Sequence, residues 1–308
     1  MEYLLLIVGF AFLIKGADAF VDGAVSVAYK FHISPTIVGL TIVALGTSLP
    51  EAAVSISASL AGSNALAISN VVGSNIFNTL VVVGASAMIA PFVIGKEVIK
   101  RDLPFNILCT GVLLVMIWGL ILSRVDGLIL MAGLAGYIAL LVYDVKKNPI
   151  EETEEEEEKI LPNWKAALFI VLGAAAIILG GNATVNAATT IARNLGMTET
   201  LVGLTVVSVG TSLPELVTSV VAARKGESGL SIGNAIGSNI MNILFILGAS
   251  SAIHPLAADH QNVMDVILLC CIAVSMFVMA KISPKLGRFK GLLMIGVYCA
   301  YLAYIIVR

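Results

Sequence analysis

The chain has 308 residues, of which 58% are hydrophobic and only 12% charged, and its mean hydropathy is +1.00. An ordinary globular domain carries about 25% charged residues, so this composition excludes a soluble protein. The formal charge of −2 conceals an acidic run at residues 151–158, EETEEEEE, which holds seven of the 20 acidic residues. Outside it the balance is 18 minus 13, or +5, which suits loops beside anionic lipid and gives no sign of a nucleic-acid partner.

A lipid-spanning helix takes roughly 20 apolar residues, and hydropathy places such segments near 2–23, 36–61, 66–90, 104–122 and 126–144. A second set follows near 164–190, 200–224, 229–253, 262–280 and 289–307. These runs are too long and too uniformly apolar for the alternating strands of a membrane barrel, so they are predicted to be helices. No room is left for a soluble catalytic domain. The first run, Leu4 to Leu13 followed by Ala17-Asp18-Ala19, imitates a signal peptide, but its leading charge is Glu2 and Lys15 interrupts it, so it is read as a span. Between the two sets, the acidic run and Pro162 read as a solvated linker.

Shifting the sequence by 164 residues aligns the first set on the second without a gap. Thr36–Ser55 matches Thr200–Ser219 at 13 of 20 positions, GTSLPE included, and Ile68–Leu80 matches Ile232–Leu244 at 8 of 13 within a shared frame G-S-N-I-x-N. The chain is therefore predicted to be an all-α membrane protein of ten transmembrane helices, built as two inverted five-helix repeats with helices 2 and 7 broken. The units are 1–144 and 164–308, with an acidic linker at 145–163. An odd number of helices per unit turns the second copy upside down, and inverted repeats place a substrate site at mid-membrane on broken helices. Fourteen Lys and Arg fall in the loops of one side and three, Arg124, Arg193 and Arg308, on the other. The richer side should be cytoplasmic, with the linker there and both termini outside.

Glu51 and Glu215 fall mid-span at equivalent places, and charged residues at that depth are rare and functional. Each follows a proline, Pro50 or Pro214, with Gly46 or Gly210 four residues earlier. Proline cannot donate to the carbonyl at i−4, so a kink should free carbonyl oxygens there, and a cation would satisfy them. Thr47 and Glu51, Thr211 and Glu215, Ser74 and Asn78, and Ser238 and Asn242 are each four apart, which sets each pair on one helix face. The donors are oxygens, with no imidazole or thiolate, and that suits hard cations such as calcium. Gly229, Gly233 and Gly237 in span 8, echoed by Ser69 and Gly73, should admit close helix approach. Asp18 and Asp22, aligned with Asn182 and Asn186, read as helix-packing or vestibule groups. The four cysteines, Cys109, Cys270, Cys271 and Cys299, read as packing residues. His32, His254 and His260 fall in loops, away from the glutamates.

The doubled GTSLPE, each followed by G-S-N-I-x-N, resembles the two repeats of the calcium/cation antiporter superfamily, above all the short prokaryotic form of the sodium/calcium exchanger branch. The resemblance covers the whole chain. It implies a secondary antiporter, not an enzyme, with no cofactor and no obligate protein partner beyond the lipid bilayer, extruding Ca2+ against about three Na+. It further implies that calcium is held by Glu51 and Glu215 with the main-chain oxygens of Thr47 and Thr211. One set of sodium ligands would be the Ala44 carbonyl, Thr47, Ser74, Ser212 and Glu51. The other would be the Ser208 carbonyl, Thr211, Ser48, Ser238 and Glu215, with Asn78 and Asn242 flanking the middle. Some family members carry aspartate where this chain has Asn242; the amide argues against a third cation such as potassium. A proton/calcium antiporter on the same scaffold is the alternative, since mid-membrane glutamates also carry protons. A channel is disfavoured by the inverted repeat within one chain.

Overall fold

The computed structural model describes residues 1–148, 159–197 and 208–307. The acidic run 151–158 and the first part of the predicted span 200–224 lie outside the described residues.

Helix α1 (Glu2–Lys30) runs antiparallel to α7 (Asn163–Asn194), and glycines make the contact. A Cβ on Gly9 would lie 3.0 Å from the Gly180 carbonyl oxygen, and one on Gly16 would lie 2.9 Å from that of Gly173. Gly173 and Gly180 are Gly9 and Gly16 displaced by 164, so the seam is repeated along its length. The opposite face of α1 carries exposed Leu4, Ile7 and Ile14, as a lipid-facing helix requires.

Ser34 caps α2 (Pro35–Thr47) by accepting from the Thr36 N–H, and Pro35 opens the helix. The chain bends 51° before α3 (Leu49–Leu60) and continues into α4 (Asn64–Ile89). Next comes α5 (Leu103–Ile117), preceded by a π-helical turn Val98–Asp102, and then α6 (Arg124–Lys147), started by a Ser123–Asp126 capping box. After α7 the second set is α8 (Ser208–Thr211), α9 (Leu213–Arg224), α10 (Ser228–Ile253), α11 (His260–Ile282) and α12 (Arg288–Val307). Seven of these helices, α1, α4, α6, α7, α10, α11 and α12, are long and apolar enough to cross a membrane, and the bent pair α2–α3 makes an eighth. Helix α5 is 15 residues long, about 22 Å, and reaches membrane thickness only with the π turn before it. The predicted span 104–122 therefore begins earlier and ends at Ile117.

Helices α4 and α10 are the centre. Every residue from Leu230 to Met241 is buried. The predicted close approach occurs here: a Cβ on Gly233 would meet the Thr36 carbonyl oxygen at 2.4 Å, and one on Gly237 would meet Leu40 Cα at 2.6 Å. Both helices pass into π-helical turns at equivalent places, Asn78–Val82 and Asn242–Leu247, which the sequence pattern did not indicate.

Among the described residues, four two-residue strands interrupt the all-helical picture. β1 (Phe92–Val93) pairs antiparallel with β4 (Lys285–Leu286), and β2 (Ile121–Leu122) with β3 (Leu256–Ala257). Displaced by 164, β1 becomes β3 and β2 becomes β4, so the two bridges are equivalent and each joins one half to the other.

Candidate ion site at the paired helix breaks

The proline does more than kink the helix. Ser48 separates α2 from α3 with φ −86° and ψ 6°, and Pro50 lies in the first turn of α3, where its missing N–H is no loss. Ser212 separates α8 from α9 with φ −93° and ψ 7°, and Pro214 takes the same place. Thr47 and Glu51 are thus on two helices, not one continuous stripe. The break sets Glu51 and Glu215 in first turns, where the helix dipole favours negative charge.

Both glutamates are fully buried, and each is reached from the opposite half of the chain. Ser48 Oγ donates to Glu215 Oε1 at 2.8 Å, and Ser212 Oγ lies 3.1 Å from Glu51 Oε1 and 3.1 Å from Ser74 Oγ. Ser238 Oγ lies 3.5 Å from Glu215 Oε1. The structure therefore gathers Glu51, Ser74 and Ser212 at one place, and Glu215, Ser48 and Ser238 at another. Ala44 and Thr47 are buried beside the first break; the Ala44 carbonyl accepts from Ser48 N at 3.0 Å, and Thr47 Oγ1 lies 3.1 Å from Asn234 Oδ1. Thr211 is 8% exposed and lines a crevice of about 440 Å3 with Pro50, Gly210, Pro214, Asn182 and Asn186. Ser208 opens the described part of the second break, and its side chain lies outside the description. Asn78 and Asn242 are buried where the two π turns begin.

Several residues belong to the site that the sequence reading did not assign. Asn70 Nδ2 donates to Ser55 Oγ at 2.9 Å and lies 3.5 Å from the Glu51 carbonyl; Asn234 Nδ2 donates to Ser219 Oγ at 2.9 Å and lies 3.4 Å from the Glu215 carbonyl. These amides brace the main chain of both glutamates. Their signal was present, since both pairs are identities at the 164-residue offset. Asn75, Thr79 and Asn239 form a further buried network between α4 and α10.

Asp18 and Asp22 are about half exposed and tie α1 to the end of α9 by pairing with Lys225 at 2.7 and 2.6 Å, whereas Asn182 and Asn186 line the crevice, in keeping with the helix-packing and vestibule roles expected of them. Asp and Asn at equivalent positions face different neighbours because α9 ends at Arg224 and is capped by Lys225, where its counterpart α3 ends at Leu60 and is capped by Ala61. Of the cysteines, Cys109 is buried packing, but Cys271 and Cys299 are exposed on outer helix faces, where lipid contact makes a small apolar thiol acceptable.

Glu51 Oε2, Glu215 Oε2 and Asn242 Oδ1 have no hydrogen-bond donor, and neither glutamate has a basic partner, among the described residues. Burying an unpaired carboxylate costs several kcal/mol. Two of them side by side demand cations or protons. Among the described residues no cluster of three or more His, Cys, Asp or Glu could hold a metal, so the donor set is one of carboxylate, hydroxyl, amide and main-chain oxygen. Such a set fits a hard cation carried as substrate.

The same fold is found in the sodium-calcium exchanger NCX_Mj, to which this chain is similar with a TM-score of 0.85 and 30% identity over 98% of this chain and 97% of that one. The chain is likewise 37% identical to a putative antiporter, CaxA, of Alkalimonas amylolytica over 96% of this chain and 95% of the relative. It is 31% identical to the sodium/calcium exchanger MaX1 of Methanosarcina acetivorans, over 98% and 97%. Fold and site together define a multi-pass membrane transporter of the cation-antiport class. The family model described as "Sodium/calcium exchanger protein" matches residues 1–143 and 165–307, and the chain belongs to that family.

Proposed function

We propose that this protein extrudes Ca2+ from the cell in exchange for about three Na+ by alternating access. The observation that carries the reading is the reciprocal pair: two fully buried glutamates with no basic partner among the described residues, each reached by the break serine of the other half. Calcium binds between Glu51 and Glu215 with the main-chain oxygens of Thr47 and Thr211. Sodium takes two sets, Ala44 carbonyl, Thr47, Ser74, Ser212 and Glu51, and Ser208 carbonyl, Thr211, Ser48, Ser238 and Glu215. Asn78 and Asn242 flank the centre. The match to exchangers such as MaX1 and NCX_Mj supports sodium as the counter-ion, as does the number of hydroxyls beside the carboxylates.

The ten-span reading, two inverted five-helix repeats at 1–144 and 164–308 joined by 145–163, draws support from the strand bridges. If α5 and α11 cross the membrane, β1 and β4 lie on one side and β2 and β3 on the other. Equivalent loops, those of β1 and β3, then lie on opposite sides, which is what inversion means. The basic residues Lys96, Lys100, Lys285 and Arg288 flank the first bridge, so that side is cytoplasmic, with the linker, and both termini are outside.

Calcium uptake into proteoliposomes under imposed sodium, proton or potassium gradients tests the reading. Uptake driven by a sodium gradient alone is expected. Uptake driven by a pH gradient alone would replace it with proton/calcium antiport, and flux without any counter-ion gradient would replace it with a channel.

A further inference from the structure

The geometry points to Asn75 as a positioning residue for cation binding: it turns the Asn242 amide so that its carbonyl oxygen, not its NH2 group, is presented as a ligand. The inference rests on the assignment of Asn242 to the ion path made above. An asparagine amide has a donor end and an acceptor end of nearly equal shape, and only its hydrogen bonds decide which faces where. Here the decision starts from an atom with one possible role. The main-chain oxygen of Asn239 can only accept, and the Asn75 amide meets it at 3.1 Å, so Asn75 must present Nδ2 there. Its Oδ1 is thereby turned toward Asn242, at 2.9 Å, and Asn242 must answer with its own Nδ2. The remaining end of Asn242 is Oδ1, an acceptor that no donor satisfies among the described residues. All three asparagines are fully buried, so bulk water does not scramble this order.

Asn242 lies four residues beyond Ser238, the hydroxyl nearest Glu215 on α10. A carbonyl oxygen adds a ligand to a cation; an NH2 group in the same place repels it. The chain of forced orientations therefore decides whether Asn242 helps or hinders binding. Its counterpart Asn78 has no such support, since neither end of its amide has a partner among the described residues. The two halves thus differ at the site in a way their shared G-S-N-I-x-N frame does not reveal. Part of the difference is written in the sequence. Thr79 donates to the main-chain oxygen of Asn75 at 2.9 Å and accepts from Asn239 Nδ2 at 2.8 Å, and its counterpart is Ile243, whose side chain can do neither.

The test compares Asn75→Ala, Asn242→Ala, Asn242→Asp and Asn75→Ala/Asn242→Asp in proteoliposomes, with KM for Ca2+ and maximal rate measured separately. Ca2+ protection against thermal unfolding of the purified protein gives a second reading of affinity. Loss of a group that orients a metal ligand typically weakens binding by about 10–100-fold, so Asn75→Ala is expected to raise KM by that factor, as Asn242→Ala does. A carboxylate presents oxygen whichever way it turns, so in the Asn242→Asp background Asn75→Ala should leave KM within about twofold. Where alanine prevents folding, Asn75→Leu, of similar volume, takes its place. An unchanged KM in Asn75→Ala beside a raised KM in Asn242→Ala overturns the inference and leaves Asn242 a ligand. An equal rise in both backgrounds overturns it too, as the signature of a packing defect. An unchanged KM in Asn242→Ala overturns the ligand assignment of Asn242, and the inference with it.

Discussion

Glu51→Gln should reverse the usual relation between stability and function. The carboxylate is fully buried, with Ser212 on Oε1 and no donor on Oε2 among the described residues. At an effective dielectric constant of about 20, unit charges about 4 Å apart attract by about 4 kcal/mol, so a divalent ion loses about 8 kcal/mol when this carboxylate becomes an amide. The amide also removes the cost of burying the charge, several kcal/mol, but the folded protein carries that cost with and without the ion, so it cancels in the affinity and the loss of about 8 kcal/mol stands. That is more than a hundredfold in calcium affinity. In ion-free solution the same relief acts alone, and the variant should unfold at a higher temperature than the parent. Thermal unfolding of the purified protein with and without Ca2+ reads both effects, because a ligand stabilises only what it binds. Wild type should gain stability with Ca2+ and the variant should not, while sodium-driven uptake is lost. A variant that is stabilised by Ca2+ as strongly as wild type and exchanges at the parental rate would refute the charge argument.

Exchange should be electrogenic: with Glu51 and Glu215 ionised, the calcium-loaded site sums to zero and the three-sodium site to +1. An inside-negative potential should favour extrusion by about 2.3 kcal/mol per 100 mV, roughly 50-fold in the calcium ratio; a calcium ratio indifferent to potassium–valinomycin voltage would exclude this stoichiometry. Deleting residues 151–158 should leave exchange largely intact, since seven glutamates and a threonine offer no apolar surface to bury; flux in the deletion variant, normalised to inserted protein, checks this. Gly16→Val should destabilise the α1–α7 pair, because its Cβ would stand 2.8 Å from Ala176 Cβ and 2.9 Å from the Gly173 carbonyl oxygen. A loss of about 1–3 kcal/mol, read as a lower unfolding temperature in detergent, is expected.

Much of this protein was legible before any coordinates. Lipid offers no hydrogen bonds to a bare backbone, so helices must be long and apolar, and that demand is written residue by residue along the chain. The same penalty makes Glu51 and Glu215 conspicuous, and a duplication at a fixed offset points to both of them together. Pro50 and Pro214 mark the breaks because their missing N–H is a local fact. What the linear order does not contain is which helix lies beside which. That Ser48 serves Glu215 and Ser212 serves Glu51 came from the resemblance, not from spacing; it depends on two units packing face to face so that each break meets the other's carboxylate. The crossed strand bridges, the bracing of both glutamates by Asn70 and Asn234, and the pairing of Lys225 with Asp18 and Asp22 have the same origin. The Asn75–Asn242 bond shows the limit most plainly: Asn78 and Asn242 sit at equivalent places in a repeated motif, yet among the described residues Asn242 is held and Asn78 is not. An amide's direction is set by the first neighbour that can act in only one way, and that neighbour, the carbonyl of Asn239, lies 164 residues along the chain from Asn75.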